Sequence, residues 1–363
     1  MDIAITAIGT ANPIYKRKQL ETAELILASL NLSPNEQKLL RSVYKATGIE
    51  YRHSVLSDYC QEPGAFTFFP NDANAPFPTT AARMNVYKEH ALPLALSAVR
   101  SCFNQINPCD ITHLITISCT GMYAPGLDIE LINTLNLRTS THRTAINFMG
   151  CYGAFNGIKA AYSICRADPN AKVLMICVEL CTIHFQKQMC LDNMIANAIF
   201  ADGAAAILIE QRKNEHQKSF DLVSFYCDLL PQNQNAMAWY IADHGFDIVL
   251  SSYVPTAIEH GIAHFVKNAS VNFSATDYYA IHPGGIKILQ ACEKALKLDA
   301  FDNRYAYEVL KHFGNMSSAT ILFVLKSIWD VLTKNDHEKN IFSCAFGPGL
   351  TLESMQLRVH NVS

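Results

Sequence analysis

The feature that most constrains this chain is the alternation of short apolar runs rich in β-branched residues with longer stretches of helical periodicity. Leu114 to Ser118, Val173 to Val178 and Ala204 to Ile209 read as buried strands, with helical patterns between them. That alternation predicts an α/β architecture. A chain of 363 residues, half of it hydrophobic, is long enough for two domains or one duplicated domain.

The longest polar interruption between apolar strands runs from Gln211 to Ser219, and we set the boundary there, giving halves of residues 1–215 and 216–363. The halves echo one another. In the first, the strand ending at Ser118 is followed by Met149-Gly150-Cys151 opening an apolar helix, then by a strand near Val173. In the second, the run Tyr278 to Ile281 ends at His282, Phe313-Gly314-Asn315 opens another apolar helix, and a strand follows near Ile341. Ser118 to His282 and Cys151 to Asn315 are each 164 positions apart, so a duplicated fold predicts that Cys151, His282 and Asn315 converge.

Composition narrows the function classes. The 29 basic and 32 acidic residues leave a formal charge of -3, which gives no electrostatic case for nucleic acid or an acidic membrane surface. The first residues lack a basic leader, and no apolar stretch approaches the ~18 residues of a membrane span. Twelve cysteines without small-scaffold spacing read as reduced thiols of a cytoplasmic protein.

Each reactive residue has a structural reading beside its chemical one. Cys151, bracketed by Gly150 and Gly153 at a helix start, would meet the backbone amides and dipole that favour a thiolate, but free cysteine is also a common core residue. His282, at a strand end before the rigid Pro283-Gly284-Gly285 turn, can pair with a thiolate or donate to an oxyanion, or be a satisfied structural imidazole. Asn315 can donate without carrying charge, or simply cap a helix.

Taken together, these residues carry a resemblance. Gly150-Cys151 among small residues, Ile281-His282-Pro283-Gly284-Gly285, Gly314-Asn315-Met316-Ser317-Ser318-Ala319 and Phe346-Gly347-Pro348-Gly349-Leu350-Thr351 stand in the order and spacing of chalcone-synthase-like enzymes. Phe200-Ala201-Asp202-Gly203 and Cys177-Val178-Glu179 match as well, so the chain resembles type III polyketide synthases over nearly its whole length, in a bacterial-type form.

The resemblance implies a thiolase-like fold, a duplicated five-layered αβαβα arrangement, and a homodimer. It implies that Cys151 holds a starter acyl group from an acyl-CoA as a thioester, while His282 and Asn315 stabilise the enolate of decarboxylating malonyl-CoA. Neither a metal nor another cofactor is implied, since the coenzyme A thioesters are substrates.

A helix is predicted from the capping box Ser33-Pro34-Asn35-Glu36 to Gly48, with Lys38, Arg41 and Lys45 on one face and Leu39, Leu40 and Val43 on the other. Spacing alone makes it a solvated amphipathic helix; the resemblance makes the three cations the handle for the CoA phosphates. It also implies a substrate pocket lined by Phe200, Ile248, Cys119, His184, Trp239, Glu179 and Ser317 and bordered by Gly347, Pro348 and Gly349.

Ile248 stands where the family has a second gating phenylalanine, Trp239 where plant members often have a small residue, and Cys119 and His184 where they have threonines. These departures argue against a chalcone or stilbene synthase and leave starter and ring closure open. The competing readings are a chain-initiating ketoacyl synthase working with an acyl carrier protein, whose histidine sits in a different string, and a non-catalytic acyl-CoA-binding scaffold.

Overall fold

The computed structural model describes residues 2–102 and 107–362. Nine strands hydrogen-bond in the order Tyr278–Ile281, Asn340–Gly347, Thr351–His360, Ser219–Leu229, Ile3–Ala11, Asp202–Gln211, Lys172–Leu180, His113–Ser118 and His142–Asn147. The three strands read from sequence are present and extend one or two residues beyond the apolar runs at one or both ends. Lys172–Leu180 and Asp202–Gln211 are buried along nearly their whole length, as strands covered on both faces should be.

Outward from its centre the sheet repeats itself. The first strand of each half, Ile3–Ala11 or Ser219–Leu229, pairs antiparallel with the last, Asp202–Gln211 or Thr351–His360. Next comes an antiparallel neighbour, Lys172–Leu180 or Asn340–Gly347, and then a parallel one, His113–Ser118 or Tyr278–Ile281. The first half adds the edge strand His142–Asn147. The halves join through the pairs Ala4 with Asp221 and Ile5 with Phe220.

Two helices lie between the halves. Gly153–Ala167 packs on strands of the first half and on Thr351–His360, while Thr320–Val331 packs on Tyr278–Ile281 and also on Ile3–Ala11 and Asp202–Gln211. The second is buried through Ile321, Leu322, Phe323, Val324 and Leu325, the all-round apolar surface of an interior helix. Thr80–Arg100 covers the outer face of the first half, and Val254–Asn268 and Ile286–Leu296 cover that of the second. The five helix and sheet layers make a thiolase-like α/β fold, with one core running from Ile3 to Val359 through both halves. Among the described residues no helix is long and apolar enough to cross a membrane.

Candidate active site

The repeated halves bring their equivalent turns together. Cys151 lies in the 3-10 turn Gly150–Tyr152 that leads into Gly153–Ala167, and Asn315 lies just before the turn Ser317–Ala319 that leads into Thr320–Val331. Each follows a glycine in the left-handed region, Gly150 at φ 77° and Gly314 at φ 70°, a conformation that costs glycine no steric penalty. Cys151 Sγ is 3.9 Å from both Oδ1 and Nδ2 of Asn315.

The Asn315 amide is held through both of its polar atoms. Its Oδ1 accepts from the Ser317 backbone N–H at 2.8 Å, a local bond that fixes the amide orientation, while the N-cap position itself falls on Met316 and carries no side-chain cap. Its Nδ2 donates to the Gly284 carbonyl at 3.3 Å and faces the thiol. The backbone is pinned to the first half by Asn315 N–H to Ile199 O and Ala201 N–H to Asn315 O, both 2.9 Å.

His282 follows the strand Tyr278–Ile281 directly, its N–H donating to Cys344 O at 2.8 Å. Its side chain is buried, yet neither Nδ1 nor Nε2 has a partner among the described residues. The expected direct pairing with Cys151 is therefore not formed; the thiol's polar neighbour is Asn315. Burial pushes the Cys151 thiol up to about 12, against the pull of hydrogen bonds from Asn315 and Ser317, and pushes the His282 imidazole down to about 3. Each group alone is thus neutral near pH 7. A proton passed from one to the other leaves opposite charges on one cavity wall, and their attraction opposes both shifts.

All three residues line a cavity of about 300 Å³. Cys119, Phe200, Trp239, Ile248, Ser317 and Pro348 line it too. Trp239 and Ile248 are cross-strand partners in a hairpin of Met237–Ala242 and Gly245–Leu250, so they form one patch of wall. Trp239 Nε1 donates to Cys119 O at 2.9 Å.

Other expected pocket residues stand behind that wall. His184 is buried, its Nδ1 accepting from Phe246 N–H at 3.1 Å and its Nε2 donating to Thr120 O at 2.7 Å, and it stacks on Phe246 at 4.1 Å. Two satisfied ring nitrogens make it a spacer under the hairpin and not a cavity group. Glu179 is likewise withdrawn: its carboxylate accepts from Cys119 N–H, Thr120 Oγ1 and Ser318 Oγ, tying the strand end beside Cys119 to the start of the central helix of the other half. Gly347 and Gly349 shape the turn while Pro348 supplies the surface. A Cβ at Gly347 would meet Tyr152 at 2.6 Å and Cys151 N at 3.4 Å.

The basic helix forms over Pro34–Ala46 with the expected capping box between Ser33 and Glu36. Lys38, Arg41 and Lys45 are exposed, and Val43 and Ala46 of the same helix line the cavity. Two details differ from expectation. Leu39 is 43% exposed because Leu40 and Tyr44 supply the buried stripe, and Arg41 is held by Glu24 in a two-pronged ion pair at 2.9 and 3.0 Å. Lys287, absent from the sequence reading, also borders the cavity; only its place after the His282-Pro283-Gly284-Gly285 turn could have signalled it.

A desolvated thiol beside an amide donor and an unpartnered imidazole, on a duplicated thiolase-like scaffold, defines an acyltransferase of the condensing-enzyme class. Comparison with known proteins is more specific. Residues 2–212 match the N-terminal domain of chalcone and stilbene synthases, and residues 221–361 match their C-terminal domain. The alpha-pyrone synthesis polyketide synthase-like Pks18 of Mycobacterium tuberculosis is 29% identical over 97% of this chain and 90% of its own length. Type III polyketide synthase C of Arabidopsis thaliana is 28% identical over 98% and 94%. Among solved structures, PKS-I from the brown alga Ectocarpus siliculosus superposes with TM-score 0.91 at 28% identity over 98% of each chain. The C-terminal type III domain of Steely1 from Dictyostelium gives 0.89 at 26% over all of both. The chain belongs to the chalcone and stilbene synthase family, and it is a type III polyketide synthase.

Proposed function

We propose that Cys151 is the acyl carrier and that His282 and Asn315 are its catalytic partners in iterative condensation of malonyl-CoA onto an acyl-CoA starter. The observation that carries this reading is the cavity these three share, in which His282 keeps both ring nitrogens free. Such a group is costly to bury and suits a site completed by substrate.

In the first step the Cys151 thiol passes its proton to His282 and the sulfur attacks the starter carbonyl; CoA leaves as thiolate, takes the proton from His282, and the acyl group stays on sulfur. Malonyl-CoA then loses carbon dioxide. The resulting enolate oxygen accepts from Asn315 Nδ2 and a His282 N–H, which a neutral imidazole can offer. The enolate carbon attacks the Cys151 thioester, a carbon–carbon bond forms, the carbon–sulfur bond breaks, and the thiolate is free for the next transfer. All of these roles fall to side chains; no cofactor takes part, and the CoA thioesters are substrates. Lys38, Arg41 and Lys45 beside the mouth would hold the CoA phosphates.

Residues 1–215 supply the nucleophile and residues 216–363 supply His282 and Asn315, so the halves act as one catalytic unit. We further propose a cytoplasmic homodimer. Twelve unpaired cysteines suit a reducing compartment, and the exposed edge strand His142–Asn147 is open to pairing with a second copy. Incubating purified protein with malonyl-CoA and a panel of starter CoAs, with intact-mass and product analysis, tests the reading. The wild type should gain the starter's acyl mass, Cys151→Ala should gain none, and absence of any acyl-enzyme in the wild type would defeat it. Sedimentation at micromolar concentration tests the dimer.

A further inference from the structure

The cavity holds more information than its catalytic corner. Its far walls come from the helix Leu191–Ile199, through Leu191, Ile195 and Ile199, and from the hairpin, through Met237, Ile248 and Leu250. These are branched aliphatic side chains and one flexible thioether, a weak acceptor at most. Most polar side chains on the remaining wall are engaged elsewhere or exposed. Trp239 Nε1 is spent on Cys119 O, and Thr120 Oγ1 is spent on Glu179 and on the Leu180 N–H. The Cys119 thiol sits between the Gly150 N–H and carbonyl, and the Ser317 hydroxyl lies at the catalytic end, two residues from Asn315. Ser251 Oγ accepts from Tyr253 N–H. Cys181 adds only a thiol, a weak donor. Ser252 and Lys287 are exposed. The unspent hydrogen-bonding capacity of the buried side chains is therefore concentrated at Cys151, His282, Asn315 and the neighbouring Ser317, where the chemistry occurs.

From this polar inventory we infer that the site is built for a starter whose acyl chain is plain hydrocarbon, and that Trp239 with Ile248 sets how long that chain can be. The inference rests on the acyl-carrier reading of Cys151. A growing polyketide suits the same division: its new carbonyls stay near His282, Asn315 and Cys151, while the starter end moves among the alkyl walls. A hydroxyl at that end would lose its water and find no partner. At about 300 Å³ the cavity stands at the small end of the range for ligand pockets, which suits a short to medium acyl chain. Beyond the hairpin lies a second void of about 20 Å³, bordered by His184, Phe185 and Phe246. Trp239 and Ile248 line both spaces together with Phe200 and Cys181, and of these four they are the pair carried by the hairpin.

The test uses a matched pair of starters, octanoyl-CoA and 8-hydroxyoctanoyl-CoA, with acylation of Cys151 followed by intact mass and turnover followed with malonyl-CoA. The hydroxylated chain should lose roughly 10- to 100-fold in kcat/KM, the range set by one unpaired polar group in an apolar pocket. Equal kcat/KM for the two overturns the inference while leaving the acyl-carrier reading intact. Failure of either starter, and of every other acyl-CoA, to acylate Cys151 overturns both. Trp239→Ala, which joins the two spaces, should move the preferred starter to a longer chain; Ile248→Ala, which breaks no hydrogen bond, should do so to a smaller degree and guards against a folding failure of the first. An unchanged chain-length preference in a folded variant overturns the role of Trp239 and Ile248 in setting chain length.

Discussion

Cys151 and Asn315, separated by 164 positions, meet because each sits at the same turn of a repeated half, with the thiol 3.9 Å from the amide. Asn315 does two jobs with two atoms, so they can be separated. Asn315→Asp keeps the oxygen that accepts from Ser317 and removes the amide donor. We expect a loss of about 1–3 kcal/mol of stability, because the Gly284 carbonyl also loses its donor, with retained starter loading on Cys151 and a loss of about 10²- to 10³-fold in malonyl-CoA decarboxylation, the usual worth of one oxyanion donor. Decarboxylation at the wild-type rate would remove Asn315 from the enolate step.

Glu179 shows how the site is held without touching substrate. Its side chain is fully buried, and it satisfies three donors from two parts of the chain. Glu179→Ala leaves Cys119 N–H, Thr120 and Ser318 without that acceptor, and denaturant unfolding should show a loss of about 3 kcal/mol. A loss below about 1 kcal/mol would mean that the network contributes little.

Two buried histidines make the protein less stable as pH falls. His184 and His282 are both held down to about 3 by burial, against about 6.5 when unfolded. The unfolded chain therefore binds the extra protons, and the stability each histidine contributes is present above pH 6.5 and is lost as pH falls toward 3. Asp202, pushed up to about 6, and Glu179, also raised by burial, run the other way. The clean readout is thus a difference in slope. Between about pH 6 and 4, His184→Gln should flatten the fall in unfolding free energy by about 1.4 kcal/mol per pH unit relative to wild type, which is one proton. Parallel curves would show that His184 is not held neutral.

The strands, the duplication and the meeting of Cys151, His282 and Asn315 were legible because each leaves a local mark: an apolar run, a glycine before a reactive residue, or a repeated spacing. His184 and Glu179 were not. Whether a polar side chain faces a cavity or turns behind it depends on partners such as Phe246 N–H and Ser318 Oγ, which lie 62 and 139 positions away. Trp239 and Ile248 could each be singled out, but their pairing belongs to a hairpin register that a short amphipathic stretch does not reveal. Leu39 misled because a helix buries a stripe, and Leu40 and Tyr44 already fill it.

Arg41 offers the sharpest check on the basic helix. Lys38 and Lys45 are exposed and enter no ion pair among those found in the described residues, while Arg41 is engaged by Glu24 at the protein surface. An exposed pair of this kind contributes at most about 1 kcal/mol, so a phosphate can compete for the guanidinium. Glu24→Gln removes both the competitor and a negative charge near the cavity mouth, and should lower KM for malonyl-CoA about two- to fivefold with kcat unchanged. Replacing Lys38, Arg41 and Lys45 together by alanine should raise it at least tenfold, most strongly at low ionic strength, where cation–phosphate attraction is least screened. Alkylation of Cys151 by iodoacetamide should be the same in both variants, because the change lies at the mouth and not at the thiol. If KM moves in neither variant, the helix does not hold the CoA phosphates.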